Sequence, residues 1–140
     1  MHMQGTPQNM QQAPHYDHLI QEILVYFSKK KAQLQAAGLK DIIIDPGFGF
    51  GKTVQHNYEL LHHMDDLHIL ECPILVGVSR KSMIYKVLNT DPQQALNGTS
   101  VLHTIALLKG AHILRVHDVK ECTEVIKLIK EYNQCSSISE

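Results

Sequence analysis

"DIIIDPGFGFGKT", residues 41–53, decides how this sequence reads. Its ending, Gly51-Lys52-Thr53, looks like the close of a phosphate-binding loop. Such a loop needs its first glycine at position 46, which is Pro46; Gly47 comes one place late. The spacing matters because successive backbone N–H groups wrap the phosphate, and a shorter loop changes the ring. The dinucleotide fingerprint fails as well, since Gly47, Gly49 and Gly51 give G-x-G-x-G. What remains is a short apolar strand, Asp45 at its carboxyl end, and a flexible loop able to present Phe48 or Phe50. A carboxylate facing a partly dry pocket suits the paired N–H donors of a flat heterocycle, and a nearby ring can pack on it. The same residues also fit a plainer role, with Asp45 capping the turn and the phenylalanines in the core.

Outward from this stretch the pattern repeats. Upstream, Tyr16, Leu19, Ile20, Ile23, Leu24 and Phe27 have helical spacing after Pro14, and the helix should continue through Lys29–Ala37 to a stop at Gly38. Downstream, a helical stretch at about 56–67 leads to "CPILVGVS" (72–79). "RKSMIYKVL" and a turn at Asp91-Pro92 follow, then a helix at about 98–109 ended by Gly110. "AHILRVHD" (111–118) is a third apolar run. Val119, Cys122, Val125, Ile126, Ile129 and Tyr132 share one face of a last helix, and the tail "SSISE" should fray. Helices alternate with short runs apolar on both faces, as parallel, fully buried strands read. One domain over 1–140 is expected. About three parallel strands leave both edges open, so this domain reads as part of something larger.

Composition excludes several classes. A net charge of −1, with 44% apolar and 19% charged residues, argues for neither nucleic acid nor a membrane surface. No apolar run is as long as a membrane span. Cys72, Cys122 and Cys135 form no C-x-x-C pair, which suggests a reducing, cytoplasmic compartment. The ten histidines are scattered without metal-ligand spacing, so no metal ligand is expected here.

Ligands of parallel α/β sheets bind beyond the carboxyl ends of the strands, where loops and helix N-termini converge. The first strand delivers Asp45 there, the second Ser79, Arg80, Lys81 and Ser82, and the third Arg115, His117 and Asp118. Cations at a helix N-terminus are mildly unfavourable, so Arg80 and Lys81 suggest an anionic ligand. Arg115, inside an apolar strand, should point at the strand end or have a partner; with His117 two residues on, it could clamp an anion. His117 could as easily be a hydrogen-bonded structural residue. An acid for a neutral heterocycle beside cations for phosphate points to transfer away from a phosphate or diphosphate.

Four segments then carry a resemblance: "MHMQGTPQ" (1–8), "DPGFGFGK" (45–52), "VGVSRKSMI" (76–84) and "GAHILRVHDV" (110–119). With "HNYELL" (56–61) and "NGTS" (97–100), they resemble the signatures of the dihydropteroate synthases. The resemblance implies a (β/α)8 TIM barrel of which this chain is the second half, here a partial barrel. It implies a homodimer, in folate biosynthesis, joining 4-aminobenzoate to the dihydropterin-methyl group of its diphosphate. Asp45 would bind the pterin N–H groups and Lys81 the pterin, with Met1 and Gly77 lining that pocket. Phe50 and Ser82 would border the 4-aminobenzoate site, where sulfonamides compete. Arg115 and His117 would hold the diphosphate and its Mg²⁺-neutralised charge, and Lys81, Arg115 and His117 would be catalytic. The Mg²⁺ ligand, an Asn of the first strand, and the pocket's other wall fall in the half that is absent. The chain by itself is therefore expected to be inactive or very weakly active. A non-catalytic pterin- or partner-binding remnant, or another pterin-binding barrel enzyme, are the alternatives.

Overall fold

A computed structural model describes residues 1–6, 8, 10 and 13–136. The expected fraying of the tail falls on residues that, Ser136 apart, lie outside this set. Among the described residues five α-helices occur, α1 (Leu19–Ala36), α2 (Val54–His62), α3 (Ser82–Tyr85), α4 (Leu96–Leu108) and α5 (Val119–Ser136). Two strands, β1 (Leu75–Val76) and β2 (Ile113–Leu114), pair in parallel, Leu75 opposite Ile113 and Val76 opposite Leu114. The run through Asp45 joins on the other side of β1 by one parallel bridge, Ile44 to Ile74. The three apolar runs thus lie side by side and parallel, β1 in the middle.

Local chemistry sets the element ends. α1 starts at Leu19 rather than at Tyr16, because the Glu22 carboxylate accepts the N–H groups of Asp17 (2.9 Å) and His18 (3.0 Å) and fixes the first turn there. Tyr16 leaves the helical face and donates its hydroxyl to Gly51 O at 2.8 Å. The far end closes as the sequence suggests: Gly38 sits at φ 89°, its N–H on Gln35 O and that of Leu39 on Leu34 O. Thr53, the last residue of the false phosphate loop, is the N-cap of α2. It exchanges hydrogen bonds with His56, N–H to Oγ1 at 3.1 Å and N–H to Nδ1 at 3.3 Å. α2 ends at His62, and the rest of the expected helix winds as a 3₁₀ helix over Met64–Leu70.

The core gathers Leu19, Ile23 and Phe27 of α1, Leu60 and Leu61 of α2, Ile74, Val76 and Val78 of the central run, and Leu102 and Ala106 of α4. Only the central run is buried as a parallel strand should be. Ile43 is exposed, and Ile113 and Leu114 are half-buried. The expectation that every strand is covered on both faces fails at the flanking runs, where no further strand of this chain pairs among the described residues. No helix among the described residues is long and apolar enough to cross a membrane.

Candidate functional site at the strand ends

Gly47, Gly49 and Gly51 all have positive φ, at 74°, 82° and 61°, which turns the loop back over Asp45. A Cβ on Gly47 would lie 1.8 Å from the backbone oxygen of His2, so only glycine admits the first segment here. That segment is also tied down by its backbone, His2 N–H to Asp45 O at 2.9 Å. The two phenylalanines divide: Phe48 is fully buried in the core and Phe50 is half-buried at the rim.

Asp45 takes the plainer of its anticipated roles and gains a cation partner. Oδ1 accepts the N–H of Gly47 at 2.9 Å, the Asx turn, while Oδ2 meets the Arg115 Nη2 at 3.3 Å. The Arg115 guanidinium lies over Gly77: a Cβ there would be 2.9 Å from Nη2 and 3.0 Å from Nε. Arg115 has the partner that its apolar neighbours demanded, though β2 ends at Leu114, so Arg115 and His117 stand on the loop beyond it rather than on one strand face. His117 is exposed, and its backbone N–H donates to Ser79 Oγ at 3.3 Å.

The lysines meet the loop from two sides. Lys81 donates from Nζ to Phe48 O and lies 4.8 Å from the centroid of the Phe50 ring. Burial lowers its pKa to about 8, with Asp45 opposing and Arg115 adding to that shift. Lys52 is 3% exposed and donates to Gly47 O (3.1 Å), Phe50 O (3.2 Å) and His2 Nδ1 (3.0 Å). Three loop carbonyls thus face ammonium groups. A phosphate loop does the reverse, aiming N–H groups at an anion. Asn57 completes the support, accepting the Gly49 N–H at 2.6 Å and donating to Thr53 O at 2.7 Å.

Arg80 corrects the anion-site expectation. Its guanidinium reaches Asp118 (Nη2 to Oδ1, 2.8 Å; Nε to Oδ2, 2.9 Å) and the carbonyls of Pro92 (2.9 Å) and Gln93 (2.7 Å). It sits at φ 52°, its N–H on Thr99 Oγ1 at 3.0 Å. These contacts commit its guanidinium and Asp118 to a clamp between two loops, although Arg80 still lines the cavity beside the glycine loop. Around Asp45 the remaining cations are Lys81 and Arg115 at the surface and Lys52 beneath.

A cavity of about 330 Å³ opens beside the loop, lined by Phe50, Lys81, Ser82 and Tyr85 among others. A larger one, about 530 Å³, lies between Tyr58, His62 and Ile105 and includes none of the strand-end residues. We assign the site to the smaller, because it meets the glycine loop at Phe48, Gly49 and Phe50 and includes Lys81, while Asp45 and Arg115 lie outside its lining. Met1 is half exposed, its carbonyl accepting from Tyr26 Oη at 3.2 Å and its Cγ near Gly47. Among the described residues no group of three His, Cys, Asp or Glu could hold a metal ion.

The model of the pterin binding enzyme family matches residues 1–117. This chain belongs to the pterin-binding enzyme family. It is 46% identical to the dihydropteroate synthase of Escherichia coli over 93% of this chain and 47% of that protein. The crystal structure of the Yersinia pestis dihydropteroate synthase with a sulfonamide drug complex superposes with a TM-score of 0.93 at 46% identity, over 96% of this chain and 50% of that one. The Thermus thermophilus dihydropteroate synthase in complex with 4-aminobenzoate gives 0.86 at 34% identity, over 90% and 52%. The chain therefore spans about half the length of the pterin-binding relatives it matches.

Sequence reasoning missed the supports of the glycine loop. His2, Lys52 and Asn57 sit in quoted motifs, but the His2–Lys52 pairing joins residues far apart in the chain and the others depend on how the glycine loop turns. Burial lowers the pKa of His2 to about 4, helped by Lys52 and the terminal amine. Between pH 6.5 and 4 the unfolded chain then binds more protons than the native one, so stability falls as pH falls through that window. We expect this residue to cost about 2 kcal/mol there once solvent screening is allowed for, and a His2→Gln variant to flatten the curve of Tm against pH.

Proposed function

We propose that this chain is the second half of a dihydropteroate synthase barrel. It would supply the strand-end wall that binds (7,8-dihydropterin-6-yl)methyl diphosphate and 4-aminobenzoate. The observation that carries this is Asp45: one oxygen is fixed by Gly47 N–H, and the other meets the exposed side chain of Arg115 at 3.3 Å. An exposed pair of that length is weak and exchangeable. On binding, the pterin N–H groups replace Arg115 on Oδ2, and Arg115 turns to the diphosphate beside His117. Lys81 contacts the ring over Gly77 and Met1, while Phe50 and Ser82 face the arylamine. The sulfonamide and 4-aminobenzoate named with the Yersinia and Thermus enzymes support that second subsite.

The reaction then has a simple balance. The C–O bond to diphosphate breaks, the arylamine nitrogen forms a C–N bond to the pterin methylene, and the nitrogen loses one proton. Arg115 and His117 stabilise the departing negative charge. Mg²⁺ prefers several oxygen ligands. The strand ends offer one carboxylate, already bonded on both oxygens and flanked by cations, so the residues present do not fit a resident Mg²⁺. No step is assigned to it. A homodimer of the complete protein, in the cytoplasm, belongs to the same proposal.

A second reading is a non-catalytic pterin-binding chain. An assay separates the two. Joined behind the first half of the Escherichia coli relative, this chain should form dihydropteroate, and Lys81→Ala should cut the rate at least about 100-fold. The chain by itself should form little or none. A folded chimera that binds pterin but forms no product would favour the non-catalytic reading.

A further inference from the structure

Lys52 is buried beneath the strand ends, yet its charge is fully satisfied. An ammonium has three protons to donate, and Gly47 O, Phe50 O and His2 Nδ1 take one each within 3.2 Å. Each acceptor leads to a group that the proposed function uses. Gly47 is the residue whose N–H fixes Asp45 Oδ1. Phe50 carries the ring under Lys81 Nζ. His2 donates its own backbone N–H to Asp45 O.

We propose that Lys52 is a positioning residue, whose buried ammonium sets the peptide planes of the glycine loop and so fixes where Asp45 and Phe50 stand. This rests on the dihydropteroate synthase reading only for what the loop positions, not for how. With glycine at 47, 49 and 51, peptides in this loop rotate at little steric cost. Phe48 anchors it in the core and Asn57 holds Gly49, but neither reaches the carbonyls of Gly47 or Phe50. Removing the ammonium frees the Phe50 carbonyl and the His2 ring together, and leaves Gly47 O with only its turn bond from Phe50 N–H at 3.1 Å. A lysine that only stabilised the fold would, when replaced, loosen the molecule generally. A positioning lysine changes the loop while the core stays put.

The test is heteronuclear NMR on the full chain, comparing the unmodified protein with Lys52→Met and His2→Leu. The Lys81 side-chain protons near the Phe50 ring should carry a ring-current shift in the unmodified chain. In Lys52→Met that shift should collapse and the amides of Gly49 and Phe50 exchange at least about tenfold faster, while the amides of Ile23 and Leu60 keep their protection. If Lys52→Met does not fold, His2→Leu, which removes one acceptor of three where a Gln amide oxygen could still accept, should show the same changes in part. Unchanged loop shifts and exchange in the folded variants, or equal acceleration in core and loop, would overturn the proposal. Titration with 6-hydroxymethylpterin reads the functional assignment separately. Failure of the unmodified chain to bind it would count against that assignment and leave the loop result standing.

Discussion

Gly47→Ala should destabilise the chain by about 3 kcal/mol or more, with a matching fall in the urea midpoint. Two effects add. The residue sits at φ 74°, where an L side chain is strained by about 1 kcal/mol. Steric contact contributes more: the new Cβ would stand 1.8 Å from the His2 backbone oxygen. Backbone cannot swing aside as a side chain can, so the first segment must lift. Lifting it breaks the His2 N–H bond to Asp45 O and removes an acceptor from buried Lys52. A variant within about 0.5 kcal/mol of the unmodified chain would show that residues 1–4 do not hold this seat.

The second large effect separates two residues that look alike in the sequence. Phe48→Ala empties a fully buried site and should cost about 3–5 kcal/mol. Phe50→Ala, at the half-buried rim, should cost less than about 1 kcal/mol. Its effect should fall instead on the Lys81 ammonium, which loses the ring beside it. Chemical denaturation of both variants decides this. Equal losses would mean that the loop does not divide its rings between core and site.

Local signals are legible in this sequence and long-range pairings are not. Gly38 ends α1 as its position suggests, because a C-terminal cap depends on neighbours in sequence. Asp45 stands at the end of the first apolar run for the same reason. The pattern misplaces the start of α1 at Tyr16, whose apolar ring fits the helical stripe but whose hydroxyl is spent on Gly51, remote in the chain. Arg80 groups with the anion-binding cations because nothing nearby in sequence reveals Asp118 as its partner. Lys52 reads as a phosphate ligand and loses that role with the phosphate loop. Its burial depends on three acceptors brought together only by folding. The signal that could have found it is negative: a lysine after three glycines that fits no phosphate spacing needs another anion or a cage of oxygens.

Recognition of the pterin by Asp45 is the claim on which the functional reading stands. NMR titration of this chain with 6-hydroxymethylpterin tests it, since it detects weak binding. Saturable shifts are expected at Gly49, Gly77 and Lys81, and Asp45→Asn should weaken binding by at least about tenfold, because the ring N–H groups lose a charged acceptor. Equal affinity in Asp45→Asn, or shifts that avoid the strand ends, would contradict it.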